Sequence, residues 1–154
     1  MSRMATTVIM RLVAVTAAIT VLAAPAAAAS GQAPDSCDLL TRAEIEEVLG
    51  QEVAKPEGLG EICYWQIGDP DATEEAIGMT LLVERGKGAK AGYNKGLDAL
   101  NPQVLVEIDG LGKDAYFAIG SLAVLKNKKT AFYISGVFDQ AQAEALARIV
   151  LDKL

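Results

Sequence analysis

Apolar positions recur at two different periods along this chain, and the switches between them mark its elements. Ile45, Val48 and Leu49 fall at helical spacing, with Arg42, Glu46 and Glu47 between them facing outward. Thr41 ahead of them and Glu44 three residues later make a capping box. Leu40 and Ile45 can staple the helix start, and Gly50 is placed to end it. A short strand is expected over 52–54, then a turn at Pro56 and Gly58-Leu59-Gly60. Residues 62–67 and 77–84 read as strands, the second with Met79, Leu81 and Val83 on one face. Gly86 and Gly88 break the chain before a second helix over 89–100. Gly92 and Gly96 weaken it, and Tyr93, Leu97 and Leu100 are its buried stripe. Asn101-Pro102 ends it. Further strands are expected over 104–108, 114–119 and 122–125, a hairpin tip at Asn127-Lys128, and a return strand over 130–137. Asp139 and Gln142 open a last helix whose inner face is Leu146, Ile149, Val150 and Leu154.

This order predicts an α+β domain. We expect an antiparallel sheet with helices on one face, built as two helix-then-strands units plus a C-terminal helix. Residues 58–68 and 110–120, GLGEICYWQIG and GLGKDAYFAIG, align at one offset that pairs Tyr64 with Tyr116 and Trp65 with Phe117. The same offset lays Ile45 on Leu97 and Val48 on Leu100, which suggests an internal repeat. The glycine pairs suit tight turns. Neither leads into a helix, as a phosphate loop must.

The first 29 residues have the three parts of a signal peptide. Arg3 and Arg11 are basic, residues 12–24 are apolar, and Pro25 precedes a small-residue exit ending at Ala29. We expect cleavage after Ala29, a flexible leader over 30–36 and one domain over 37–154. The alternative, a retained membrane anchor, is disfavoured by Pro25 and by the weak hydrophobicity of alanine. A periplasmic or secreted protein with no stable membrane anchor after cleavage follows.

The chain has 14 basic and 20 acidic residues, and its first 29 residues hold two of the basic ones and no acid. An acidic surface repels phosphate backbones, so nucleic-acid binding is disfavoured. The two cysteines, Cys37 and Cys63, lie in the exported part, where a disulfide between them is expected.

Candidate chemistry is sparse. Histidine is absent, so a nucleophile such as Ser121 or Ser135 lacks its usual base, and neither sits in a nucleophile elbow. Glu46 and Glu47 are adjacent on a helix and do not share a face. Asp69, Asp71, Glu74 and Glu75 could offer oxygens to Ca²⁺ but lack the EF-hand spacing, so a solvated loop is expected. Lys126, Lys128 and Lys129 crowd one hairpin tip, which reads as an aggregation-resistant turn or an anion contact. The aromatic residues come in neighbouring pairs: Tyr64 and Trp65, Tyr116 and Phe117, Phe132 and Tyr133. Neighbours on a strand face opposite sides, so one ring of each pair can form a platform. We take Trp65, Phe117 and Tyr133 as the candidate binding surface. No catalytic residue, metal site or cofactor is expected.

The runs Cys37-Asp38-Leu39-Leu40-Thr41, Cys63-Tyr64-Trp65 and Gly110-Leu111-Gly112-Lys113-Asp114-Ala115-Tyr116 resemble a broad group of small bacterial exported proteins and lipoproteins. The resemblance spans nearly all of the chain beyond the leader. It implies an α+β fold and a disulfide between the leading helix and a sheet strand, and it implies no activity. This chain lacks the lipobox cysteine of the lipoprotein members. The duplicated helix-plus-sheet pattern is also similar to the architecture of β-lactamase-inhibitor-type proteins, an analogy of fold alone. The expectation is therefore a non-catalytic exported binding domain that recognises a protein, peptide or small apolar ligand through its sheet face. A structural or accessory envelope protein is the alternative, and a hydrolase without histidine comes third.

Overall fold

The computed structural model describes residues 35–68 and 77–154. The expected signal peptide, the leader up to residue 34 and the acidic loop over 69–75 lie outside them. Ser36, expected in the flexible leader, is buried in a 3-10 turn, Ser36–Asp38, and its hydroxyl donates to the Glu61 carbonyl at 2.6 Å.

The first helix, α1 (Arg42–Leu49), starts as its sequence dictates. Thr41 Oγ1 accepts the Glu44 N–H at 3.3 Å, and the Glu44 carboxylate accepts the Thr41 N–H at 2.8 Å. Gly50, left-handed at φ 67°, ends it. The Glu44 carboxylate also takes Lys153 Nζ at 2.7 Å, which ties α1 to the end of the last helix, α3 (Gln140–Lys153). Burial opposes the ionisation of Glu44. Lys153 and the Thr41 N–H and hydroxyl together outweigh it and hold the carboxyl below its ordinary range.

The sheet has seven strands, each antiparallel to its neighbours. They are β1 (Glu57–Leu59), β2 (Ile62–Ile67), β3 (Ile77–Arg85), β4 (Val106–Glu107), β5 (Asp114–Ala118), β6 (Ser121–Asn127) and β7 (Thr130–Ser135). Their spatial order is β1-β2-β3-β7-β6-β5-β4, so the last strand is the central one. The remaining helix, α2 (Ala89–Asp98), connects β3 to β4. Three local expectations shift. Gly58 and Leu59 belong to β1, and the turn falls at Gly60 and Glu61. The strand over 52–54 is a single bridge from Val53 to Ile67. The strand over 104–108 shrinks to β4 because Asn101 caps a 3-10 turn at Pro102–Val104.

The fold is α+β, with an antiparallel sheet and a C-terminal helix. Its helices do not share one face, however. Leu39, Leu40, Ile45 and Leu49, at and before α1, pack with Leu146 and Val150 of α3 against Trp65, Met79, Leu81, Phe132 and Ile134. On the other face α2 packs Ala89 and Tyr93 against Leu125 and Ala131, beside Tyr116, Ala123 and Tyr133. The reason is in β6 and β7, whose runs Leu122-Ala123-Val124-Leu125 and Ala131-Phe132-Tyr133-Ile134 are apolar without alternation. Such runs need cover on both sides. Leu100, expected in the buried stripe of α2, is 41% exposed, because the helix ends at Asp98.

Cys37 and Cys63 form the expected disulfide, with Cα atoms 5.1 Å apart. It staples the 3-10 turn that precedes α1 to β2. Gly58 lies opposite Cys63 in register, and a Cβ there would come within 3.0 Å of Cys37 Sγ. That glycine makes room for the bridge. The bond closes a separation of 26 residues, which restricts the unfolded chain by about 3 kcal/mol. Replacing both cysteines with serine should lower unfolding free energy in urea by about that amount, and an unchanged midpoint would show that the loop constraint is not stabilising.

Candidate functional site

The pleat sorts the aromatic pairs by chemistry. Trp65, Phe117 and Phe132 point into the core between the sheet and α1–α3, while Tyr64, Tyr116 and Tyr133 point to the α2 side. Two of the three expected surface rings are therefore misplaced. Trp65 is 0% exposed and Phe117 is 9% exposed, so neither can contact a partner. The rings with hydroxyls occupy the half-covered face, where a polar tip can reach water or a neighbour. Tyr133 remains a candidate. Tyr64 is spread over Gly78 on the neighbouring strand, covering a position where any side chain would collide with it.

Tyr133 and Tyr116 bound a groove of about 230 Å³ beside the C-terminal half of α2. Leu97 of α2 and Leu100, just beyond its end, form one side. Ser121 and Ser135 lie at the base, a cross-strand pair whose hydroxyls are 3.1 Å apart. The sequence offered these serines separately and as weak nucleophiles. The structure brings them together, but no lysine lines the groove, and the chain has no histidine. As a hydroxyl pair in an apolar cleft they can orient a ligand by hydrogen bonding.

Two backbone features adjoin this groove. Between Ala118 and Ser121, Ile119 and Gly120 turn the hairpin at φ 44° and 73°, both left-handed. A β-branched residue in that region is strained, and strain of this kind concentrates at binding sites. Ile119 is 74% exposed, and Phe138, 69% exposed, lays its ring on Gly120. The second feature is the underside of α2. A methyl group at Gly92 would displace the Glu84 carboxylate from its place beside Tyr133. At Gly96 a Cβ would meet Tyr133 at an ordinary 3.9 Å. Gly92 is thus explained by packing. Gly96 is not, although glycine inside a helix costs about 1 kcal/mol relative to alanine. Gly96 lines the groove and also the cleft on the other flank of α2, with Tyr133 beneath it in both.

Carboxylates stand beside the tyrosines of this face. Burial, then Glu84, pushes the Tyr133 pKa up to about 12. Burial, then Asp114, raises Tyr93, whose hydroxyl lies near Asp114 but makes no hydrogen bond of ordinary geometry. Asp114, then Glu107, raises Tyr116. These tyrosines stay protonated as donors, and the carboxylates behind them oppose an anionic ligand.

Among the described residues no cluster of three or more Cys, Asp or Glu is arranged to hold a metal ion, and no helix is long and apolar enough to cross a membrane. No protein family, curated protein or solved structure matches this chain.

The tyrosine shifts set a pH dependence. An unfolded tyrosine ionises near pH ~10. A folded one held to about 12 adds stability below pH ~10 that is lost as pH rises through the folded value. The urea midpoint should hold steady up to about pH 10 and fall above it. Tyr133→Phe should make that fall shallower, and an equally steep fall in the variant would deny the shift.

Proposed function

We infer that the protein is a non-catalytic binding domain of the periplasm or exterior, which takes a small apolar ligand into the groove beside α2. The groove carries this reading: apolar walls from Leu97, Leu100, Tyr116 and Tyr133, with hydroxyl donors converging at its base. Its 230 Å³ lies below the ~300–1,000 Å³ of drug-sized sites, which suits a single ring system or short chain. The tyrosine environment favours a ligand whose polar end is neutral or positive.

The Cys37–Cys63 bond is compatible with an oxidising extracellular or periplasmic location. With the tripartite N-terminus it supports export and cleavage after Ala29. The groove lies in the second of two helix-then-strands units that we read as a repeat, and α1 of the first unit lies on the opposite sheet face from α2.

Gly96 gives the test, because its two readouts move in opposite directions. Gly96→Leu should raise unfolding free energy by about 0.5–1 kcal/mol through helix propensity. It should also weaken binding of phenylnaphthylamine, a neutral apolar fluorophore, by at least tenfold (about 1.4 kcal/mol). Anilinonaphthalene sulfonate, a related fluorophore carrying a negative charge, should bind the unsubstituted protein more weakly than phenylnaphthylamine. Unchanged phenylnaphthylamine binding in Gly96→Leu would remove the groove as the site.

A further inference from the structure

The crowded hairpin tip at Lys126, Lys128 and Lys129 does not stand alone. The Gly86 N–H donates to the Lys129 carbonyl at 2.8 Å, which brings the turn carrying Lys87 and the first turn of α2, with Lys90, alongside it. The Lys113 N–H donates to the Leu125 carbonyl at 2.8 Å, which adds Lys113 from the other flank. Six lysines from three separate stretches of sequence meet at one end of the sheet. Five are exposed and Lys126 is half-buried.

Among the described residues none of the six makes a salt bridge, in a chain where acidic residues outnumber basic ones. Arg42, Arg148 and Lys153, around α1 and α3, are paired, while the isolated Lys55 and Lys95 share the lack of a salt bridge among the described residues. Edge protection does not account for the cluster. The hairpin joins β6 to the central strand β7, whereas the sheet edges are β1 and β4.

We propose that this lysine-rich end docks the protein on an anionic phospholipid membrane. The local charge decides the sign of the interaction, because at physiological salt a surface feels charges within about 8 Å far more than the net charge of the molecule. Clusters of this size bind anionic lipid. The course of the chain favours a membrane over a soluble polyanion. Ser36 is fastened to Glu61 in the β1–β2 turn, and Glu61 accepts from Val83 at this same end of the sheet. The described chain therefore begins at the lysine-rich end of the sheet, and the sequence ahead of it carries the apolar run over 12–24. The inference is independent of the groove.

The test is co-sedimentation of the exported protein with vesicles of phosphatidylglycerol and phosphatidylcholine in equal parts, and with phosphatidylcholine alone. Binding should require phosphatidylglycerol and weaken as salt is added. Each lysine contributes about fivefold to partitioning, so Lys128→Gln with Lys129→Gln should lower it by about tenfold or more. Lys55→Gln with Arg148→Gln removes the same charge elsewhere and should leave it unchanged. All four side chains are exposed, and circular dichroism checks that both variants fold. Equal binding to both vesicle types, or equal loss in both variants, would overturn the proposal. Retention on polyglutamate without vesicle binding would assign the surface to an acidic polypeptide and overturn it too.

Discussion

The structure depends on the pleat of one strand. β7 is last in sequence and central in space, and it pairs with β3 on one side and β6 on the other. Phe132 and Ile134 must then face one layer while Ala131 and Tyr133 face the other. Registers across Val83↔Phe132 and Val124↔Phe132 carry that choice to both wings of the sheet. A slip of one residue would exchange the two faces and put hydroxyls in the core. The core beneath α1 and α3 and the groove beside α2 are two sides of the same decision.

Much of this was legible. The capping box of α1, β2 and the last helix follow from residues close together in sequence, whose chemistry is local, and the disulfide follows from the cysteine count and the expected export. Which member of each aromatic pair turns inward was not legible, because strand parity is known only once the register is set. A usable signal was present all the same: the outward ring is a tyrosine in every pair, and the inward ring has no hydroxyl. The position of α2 was hidden for a related reason. Its underside is marked by Gly92, whose meaning is steric and appears only when Glu84 lies beneath it. The groove joins Ser121 and Ser135 through a strand pairing that composition does not display.

The two faces also differ in how they trade stability. The core face is dense, and its one unpartnered polar atom among the described side chains is Trp65 Nε1. The α2 face accepts a buried Tyr93 hydroxyl without a partner, a helix glycine that packing does not require, and a strained isoleucine at a hairpin turn. These departures from local rules lie together on the face of the cleft that we propose as the ligand site.

The central claim is that β2 turns its tryptophan inward and its tyrosine outward. Trp65 is the only tryptophan in the chain, so its fluorescence reports that position alone. In the oxidised native protein its emission should be shifted to the blue and resist acrylamide quenching, reaching the values of free tryptophan only on unfolding. Native emission at the wavelength of water-exposed indole, with full access to the quencher, would reverse the parity of the sheet and contradict the account.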